Sequence, residues 1–324
     1  MGECKGRIVI ALGGNALQES KGPATAEAQL EVVKKTCGFI GEIVRRDYEI
    51  AIVHGNGPQV GRIVLASEAA KGVTPAMPFD VCGAMSQGYI GYHIQQGMRA
   101  TLRDIGKGHI PVVTLVTQMV VDKNDPGFSN PSKPIGPFYN AEEAQKIAAE
   151  TGYVMKEDAG RGWRRVVASP LPKRIIEVGS LRQLWDTTIV IACGGGGIPV
   201  IELDDGNIEG VAAVIDKDFA AGLLAEEVAA DTLMILTEVE KVCINYNKPG
   251  QEDISHMTVA EAERYAKEGH FAPGSMLPKV QAGIKFAKSG PAKKAIITSL
   301  FKAVDALEGK TGTTICCADR VSSE

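Results

Sequence analysis

The stretches RIVIALGGN (residues 7–15) and EIAIVHGNG (residues 49–57) decide the fold. Each is an unbroken run of Val, Ile, Ala and Leu that stops at a glycine cluster, as a buried strand entering a tight turn does. Between them, apolar residues spaced by three and four predict a helix from about Thr25 to Arg46. Strands from Arg7 to Leu12 and Glu49 to Val53 around that helix make a βαβ unit, and a parallel central sheet is the economical reading.

The same alternation runs outward. Helices are expected over about Gly57 to Lys71 and Gly83 to Ile105, and the nearly continuous apolar run Pro111 to Val121 predicts one strand buried on both faces. Strands follow at Thr188 to Ala192, Thr232 to Thr237, Lys294 to Thr298 and Thr313 to Cys316. Helices lie near Asp218 to Val228, Val259 to Glu268 and Lys279 to Lys288. Pro199 to Leu203 and Asn207 to Val211 flank Asp205-Gly206, which reads as a two-residue hairpin turn. Asp125 to Pro137 is dense in proline and precedes a short helix (Asn140 to Glu150) and a basic strand near Trp163 to Val167. This predicts an inserted subdomain of about residues 123–170, beginning straight after a core strand, where functional insertions in parallel sheets commonly sit.

Composition agrees. The 324 residues are 44% hydrophobic and 23% charged, which excludes a disordered or fibrous chain. The 37 glycines are about 11% of the chain, against a usual ~7%, and aromatics supply only 5%. A net charge of -4 supports neither a nucleic-acid surface nor a polybasic membrane patch, so small-molecule partners are expected. The seven cysteines have no C-x-x-C spacing, no signal-peptide core opens the chain, and the apolar runs are too short to span a bilayer. A cytoplasmic protein with free thiols is the expectation.

Three glycine clusters end predicted strands: Gly13-Gly14-Asn15, Gly55-Asn56-Gly57 after His54, and Gly194 to Gly197. One such cluster is ordinary turn chemistry, whereas three together favour backbone N–H groups turned toward an anion. Established phosphate motifs are incomplete. Gly309-Lys310-Thr311 resembles a P-loop end, but Val304 stands where its first glycine belongs, and no cluster completes G-x-G-x-x-G. There is also no H-E-x-x-H pair or G-x-S-x-G elbow, and His54 reads as a turn anchor rather than a base. Lys217 and Lys279 each fall at a helix start, where a cation opposes the macrodipole by ~0.3 to 1 kcal/mol; each is either solvated or offset by a bound anion. Asp216 or Asp218 either caps its helix or fixes lysines around a transferring phosphoryl group. Lys133, stiffened by Pro131 and Pro134, is either a surface loop lysine or a rigidly held one.

Residues 11–17, 54–61, 130–139, 194–200, 214–220 and 271–280 together resemble carbamate kinase, in order and nearly end to end. The resemblance implies the amino acid kinase fold: a three-layer αβα sandwich with a mainly parallel sheet of about eight strands. It implies one such domain over 1–324, with a carbamate-binding half of about 1–200, a nucleotide-binding half of about 201–324, and a homodimer. It further implies reversible transfer between ATP and carbamate, giving ADP and carbamoyl phosphate, running toward ATP in arginine catabolism through the arginine dihydrolase pathway. Gly13, Gly14 and Asn15, with Gly195 and Gly196, would surround the phosphoryl group, and Gly55 and Asn56 the carbamate. Lys133, Lys217 and Lys279 would neutralise developing charge, with Asp218 orienting lysines. Related kinases carry a lysine where this chain has Ala11, and Lys133 inherits that role, which argues against acetylglutamate, aspartate or uridylate kinase. Adenine would lie near Thr237, Glu238, Val239 and Val242 to Tyr246, with Met276 as a lid. Mg2+ would be held mainly by nucleotide phosphates, since no acidic cage is visible.

Alternation along Val242-Cys243-Ile244-Asn245-Tyr246 places Cys243 beside Asn245, so Cys243 is a candidate exposed thiol near the nucleotide, against the alternative of a buried, inert one. A catalytically inactive nucleotide sensor on the same fold and a dinucleotide oxidoreductase are the competing readings. The presence of the three lysines and Asp218 speaks against the first, and the missing fingerprint against the second.

Overall fold

A computed structural model of the chain describes residues 4–19, 22–158 and 160–317. Its central sheet contains β1 (Gly6–Leu12), β2 (Tyr48–His54), β3 (Val112–Thr114), β4 (Ile189–Ile191), β5 (Thr232–Thr237), β6 (His256–Thr258), β7 (Lys294–Ser299) and β8 (Thr313–Cys316). The order is β6-β8-β7-β5-β1-β2-β4-β3, and every neighbouring pair is parallel except β7 with β8.

β1 shows why these runs lack polar alternation. Ile8, Ile10 and Leu12 face one core and Val9 and Ala11 the other, each at most 1% exposed. Fully burying one such large side chain contributes roughly 1.5–3 kcal/mol, so the doubly buried strand is a major source of stability. Helices α1 (Ala26–Arg45), α3 (Phe79–Asp104) and α7 (Ala303–Leu307) cover the Ile8 face. Helices α4 (Lys217–Glu227), α5 (Val259–Lys267) and α6 (Met276–Lys288) cover the Val9 face. The layering is the αβα sandwich expected from sequence. α2 (Gly57–Ala69) leaves the second glycine cluster and packs against α3 and the inserted strands. α1 and α3 approach so closely that a Cβ on Gly97 would lie 2.7 Å from Cys37 Sγ.

Several boundaries differ from the sequence reading. α3 begins at Phe79 rather than near Gly83, because Phe79 and Cys82, three apart, both turn into a small apolar cluster. α6 begins at Met276, before Pro278. The hairpin turn spans three residues, not two: Leu203 N–H donates to Asn207 O, Gly206 N–H donates to Leu203 O, and Gly206 takes φ +84°.

The largest correction concerns Pro111 to Val121. It is two strands: β3 lies in the central sheet, whereas Gln118–Val121 joins a four-stranded sheet with Ile198–Glu202, Ile208–Gly210 and Pro172–Ile175. The expected burial on both faces holds only for Met119 to Val121; Val112 to Leu115 are half-buried at the edge of the central sheet and Val116 is 51% exposed. The chain changes sheets at Thr117, a fully buried residue whose Oγ1 donates to Leu115 O at 2.8 Å and accepts from Cys193 N–H at 3.1 Å. Beyond Val121, strands Lys133–Tyr139, Met155–Glu157 and Trp163–Val167 form a small antiparallel sheet beside a helix at Ala141–Thr151.

Thr117→Val keeps the shape at this crossing but leaves the Cys193 N–H buried without an acceptor. A loss of about 1–3 kcal/mol follows, read as a lower urea midpoint at unchanged m value. A midpoint equal to the parent would show that the hydroxyl does not hold the crossing.

Candidate active site

The sheet order brings together what the sequence left apart. β1, β2 and β4 are neighbours, so Gly13-Gly14-Asn15, Gly55-Asn56 and Gly194–Gly197 lie side by side along the carboxyl edge. Strand spacing of ~4.8 Å puts the outer two about 10 Å apart, the scale of a phosphate-sized ligand and its partners. Gly55 N–H donates to Leu12 O at 3.2 Å, joining the first two clusters through backbone. In the third, Gly195 and Gly196 have φ +67° and +98°. A Cβ on Gly195 would sit 2.2 Å from Asn56 Nδ2, and one on Gly196 2.2 Å from Ile215 O. No side chain fits there, so this part of the edge is built from backbone.

Behind the glycines lies a buried polar layer that the sequence reading did not find. Asn56 Nδ2 donates to Ser86 Oγ at 2.8 Å, and Ser86 Oγ donates to Gly83 O at 2.6 Å. Gln87 Nε2 donates to Gly194 O at 3.0 Å and to Thr117 O at 3.2 Å, while its Oε1 accepts from Thr117 N–H at 2.8 Å. Ser86 and Gln87 sit in the middle of α3, where nothing in their spacing distinguishes them from surface polar residues. His54 is fully buried with Nδ1 2.8 Å from Gly55 O; a carbonyl only accepts, so Nδ1 carries the proton. Burial lowers its pKa to about 4, opposed by the bond to Gly55, and the ring is neutral near pH 7. His54 anchors the turn.

The charged residues gather around the start of α4. Asp216 caps this helix, its Oδ1 accepting from Asp218 N–H at 3.0 Å, so of the two aspartates it is the cap. Asp218 is 3% exposed at the side chain and accepts from Lys217 Nζ at 2.6 Å and Lys279 Nζ at 3.0 Å. Burial pushes its pKa up, but the two ammonium groups outweigh that and hold the carboxyl below its usual range. Lys133, at the start of its inserted strand, donates to Asp216 Oδ2 at 3.1 Å. A Cβ on Gly55 would lie 3.5 Å from Lys217 Cδ, so this lysine lies along the glycine edge. Three lysines and two aspartates leave one positive charge beside backbone loops, an arrangement suited to an anion.

On the other side of β1, Thr237 ends β5 and is followed by exposed Glu238 and Val239. Asn15 Nδ2 donates to Glu238 Oε1, which ties the first glycine cluster to this segment. Tyr246 is exposed and Met276 half-buried. Val242 is different: it is fully buried in the core, with its N–H bonded to Thr313 Oγ1 at 2.8 Å, so its side chain cannot line a nucleotide surface. The predicted alternation also fails at Asn245, which lies beyond the strand Val242–Ile244 with φ +52°. Cys243 is half-buried, and burial first, then Asp253 across the hairpin, raises its thiol pKa.

The lowered pKa of His54 fixes a sign. The fold holds the neutral ring, so its contribution is complete above the ordinary value of 6.5 and is lost as pH falls toward about 4, a loss on the order of 3 kcal/mol. Asp218, also lowered, withdraws its contribution only below the ordinary value of 3.8. Urea unfolding at pH 7 to 4 should therefore show stability declining in the parent and a shallower decline in His54→Gln. Equal slopes would remove His54 as the titrating group.

The amino acid kinase family model matches residues 6–299. A carbamate kinase of Clostridium perfringens is 54% identical over 315 residues, covering 95% of this chain and 99% of the relative. The structure of Giardia lamblia carbamate kinase bound to AMP-PNP superposes with a TM-score of 0.91 at 46% identity, covering 96% of this chain and 98% of that one. A second Giardia structure, thiocarbamoylated by disulfiram on a cysteine, gives a TM-score of 0.89 at 45% identity with the same coverage.

Proposed function

The chain belongs to the carbamate kinases of the amino acid kinase family, and from that membership we propose that Lys133, Lys217, Asp218 and Lys279 form its site of phosphoryl transfer between ATP and carbamate. The observation that carries this reading is the buried Asp218 carboxylate bridging two lysines at the end of the glycine-lined edge. In-line transfer through a metaphosphate-like transition state asks the protein mainly for positioning and charge. Lys217 and Lys279, held by Asp218, stabilise negative charge on the transferring group, and Lys133 approaches the same point from the inserted subdomain through Asp216. Gly13, Gly14, Asn15, Gly195 and Gly196 offer backbone and amide donors to that group, while Gly55 and Asn56 hold the carbamate. The reaction yields ADP and carbamoyl phosphate and, in arginine catabolism, runs in reverse to make ATP.

The nucleotide lies along Thr237, Glu238, Val239 and Tyr246, with Met276 over it, in the half of about residues 201–324; the carbamate side occupies about 1–200. AMP-PNP bound to the Giardia relative supports a nucleotide on this fold. Among the described residues no three His, Cys, Asp or Glu groups gather to hold a metal ion; Asp218 accepts from Lys217 and Lys279, and Asp216 from Lys133 and the Asp218 N–H. Mg2+, which keeps several waters, would enter on the nucleotide phosphates, where it would neutralise charge. Among the described residues no helix is long and apolar enough to cross a membrane. A cytoplasmic homodimer is the setting that family membership supports.

Mixing the protein with ADP, Mg2+ and carbamoyl phosphate should produce ATP, and a yield no higher than the uncatalysed background would overturn the reading. Lys133→Ala should lower kcat about 10²–10³-fold, as loss of one charged donor does, while thermal stability changes little because the Lys133 side chain is 31% exposed. Wild-type turnover in this variant would remove the subdomain from the mechanism.

Cys243 sits in the hairpin beside the nucleotide segment, and the thiocarbamoylated Giardia enzyme supports a reactive thiol on this fold. Alkylation there should inhibit the enzyme, faster toward alkaline pH because the thiol pKa is raised. Full activity after stoichiometric labelling at Cys243 would sink the idea.

A further inference from the structure

The seam between α2 and the inserted strands holds two opposite charges whose polar atoms have no partner. Arg165, on the strand Trp163–Val167, is half-buried, and its Cζ lies 3.5 Å from the centroid of the Tyr153 ring, which covers one face of the guanidinium. Its in-plane N–H groups are left over: among the described residues no oxygen accepts from them and no carboxylate pairs with them. Burial lowers the pKa of this arginine, and the charge of Glu68 offsets that only in part. Glu68, in the last turn of α2, acts on Arg165 electrostatically without forming an ion pair, and among the described residues it accepts no hydrogen bond. That turn has no basic residue, so the carboxylate also opposes the helix macrodipole unanswered.

Arg165 and Glu68 line one cleft of about 160 Å3. Much of its remaining wall is apolar, formed by Leu65 on α2, by Ile135 and Pro137 on the neighbouring inserted strand, and by Ile147 and Met155. An apolar cavity of about 150 Å3 is enough to hold a benzene ring, so one large apolar side chain fits. Lys71 and Glu150 stand exposed at the rim, Glu150 already 3.9 Å from Lys146, and solvent screens both. Asp80 borders an adjoining cleft on the Phe79 side of Arg165 and adds a second carboxylate there, which disfavours an anion on that side. The register ties the first cleft to Lys133: Arg165 pairs with Ile135, and Lys133 with Val167, in one antiparallel ladder.

We propose that the cleft between α2 and the inserted strands binds an α-amino acid with a large apolar side chain. Its carboxylate takes the in-plane N–H groups of Arg165, since a guanidinium stacked on a ring presents its edge to a planar acceptor. Its ammonium pairs with Glu68 at the end of α2, and its side chain lies against Leu65, Ile135 and Met155. Arg165 and Glu68 are too far apart to join directly, but a molecule carrying both charges on one carbon spans them. A simple anion would leave Glu68 unanswered and a simple amine would leave Arg165 so, each a desolvated charge without a partner. The ligand joins α2, which leaves the second glycine cluster, to the strand pair that carries Lys133.

The test is isothermal titration calorimetry on the whole protein at pH 7 with L-leucine and L-phenylalanine, and with two truncated relatives of leucine. One, 4-methylpentanoate, lacks the ammonium; the other, 3-methylbutylamine, lacks the carboxylate. At least one of the amino acids should bind with one site per chain, and each truncated relative should bind about tenfold or more weakly than it. Arg165→Gln should weaken the amino acid about tenfold and leave the amine unchanged, and Glu68→Gln should weaken the amino acid and leave the acid unchanged. Binding by neither amino acid, or an affinity unmoved in both variants, would overturn the site. Truncated relatives that bind as tightly as the amino acid would overturn its ligand class. The ranking of the four ligands is measured on the parent chain and so does not depend on how either variant folds.

Discussion

A carboxylate at 3% exposure cannot stay ionised without partners, and Asp218 has two. The converse is as important: Lys217 and Lys279, each 15% exposed, would repel one another if Asp218 did not lie between them. The three groups are stable only as a set, and the set ties the start of α4 to the start of α6. From there the structure branches, through Lys217 along Gly55 and through the capping Asp216 to Lys133 and the inserted strands. Removing one member of a buried pair typically costs about 3–5 kcal/mol because the survivor keeps its desolvation penalty. The geometry is therefore paid for once, at folding, and is in place before any substrate arrives.

The fold was legible because the middles of β1, β2, β4, β5 and β7 are buried on both faces, so their polar residues, such as Arg7, Glu49, His54, Thr232, Thr237 and Lys294, fall at or near the strand ends and leave the apolar runs unbroken. The error at Thr117 has the same root, since an apolar run does not say which sheet a chain belongs to nor, for the half-buried Val112 to Leu115 at the sheet edge, how deeply it is buried. Short elements such as Met155–Glu157, Pro172–Ile175 and Val178–Leu184 were not seen; pieces of three to seven residues are too brief for a period to declare itself. In the site, the glycine clusters and lysines were visible because their residue types are costly where they stand. Ser86, Gln87 and Thr117 were not, because a buried polar side chain differs from a solvated one only in what surrounds it. Val242 misled for a related reason: it follows the nucleotide segment in sequence, but its side chain turns down into the core.

The two ends of the central sheet have different characters. At the carboxyl edge, backbone loops meet cations restrained by carboxylates, and a neutral buried His54 supports the turn from below. At the opposite edge the reversal of β8 brings Cys316 among the starts of β1, β5 and β7. Only about seven strand residues separate the two along β1, so both ends belong to one layer without sharing a side chain.

The crowding at Gly195 and Gly196 bears on how such a site can change over generations. Because a single added carbon at either position strikes Asn56 or the Ile215 carbonyl, the donors on that rim are main-chain groups, whose identity no codon alters. Substitution can remove the loop but cannot retune it. Changes that keep the rim intact must then fall on elements that bring side chains near it, such as the strand holding Lys133, which reaches the start of α4 through Asp216. The glycine rim is constrained by its own geometry, and the inserted strands are where side chains have room to vary.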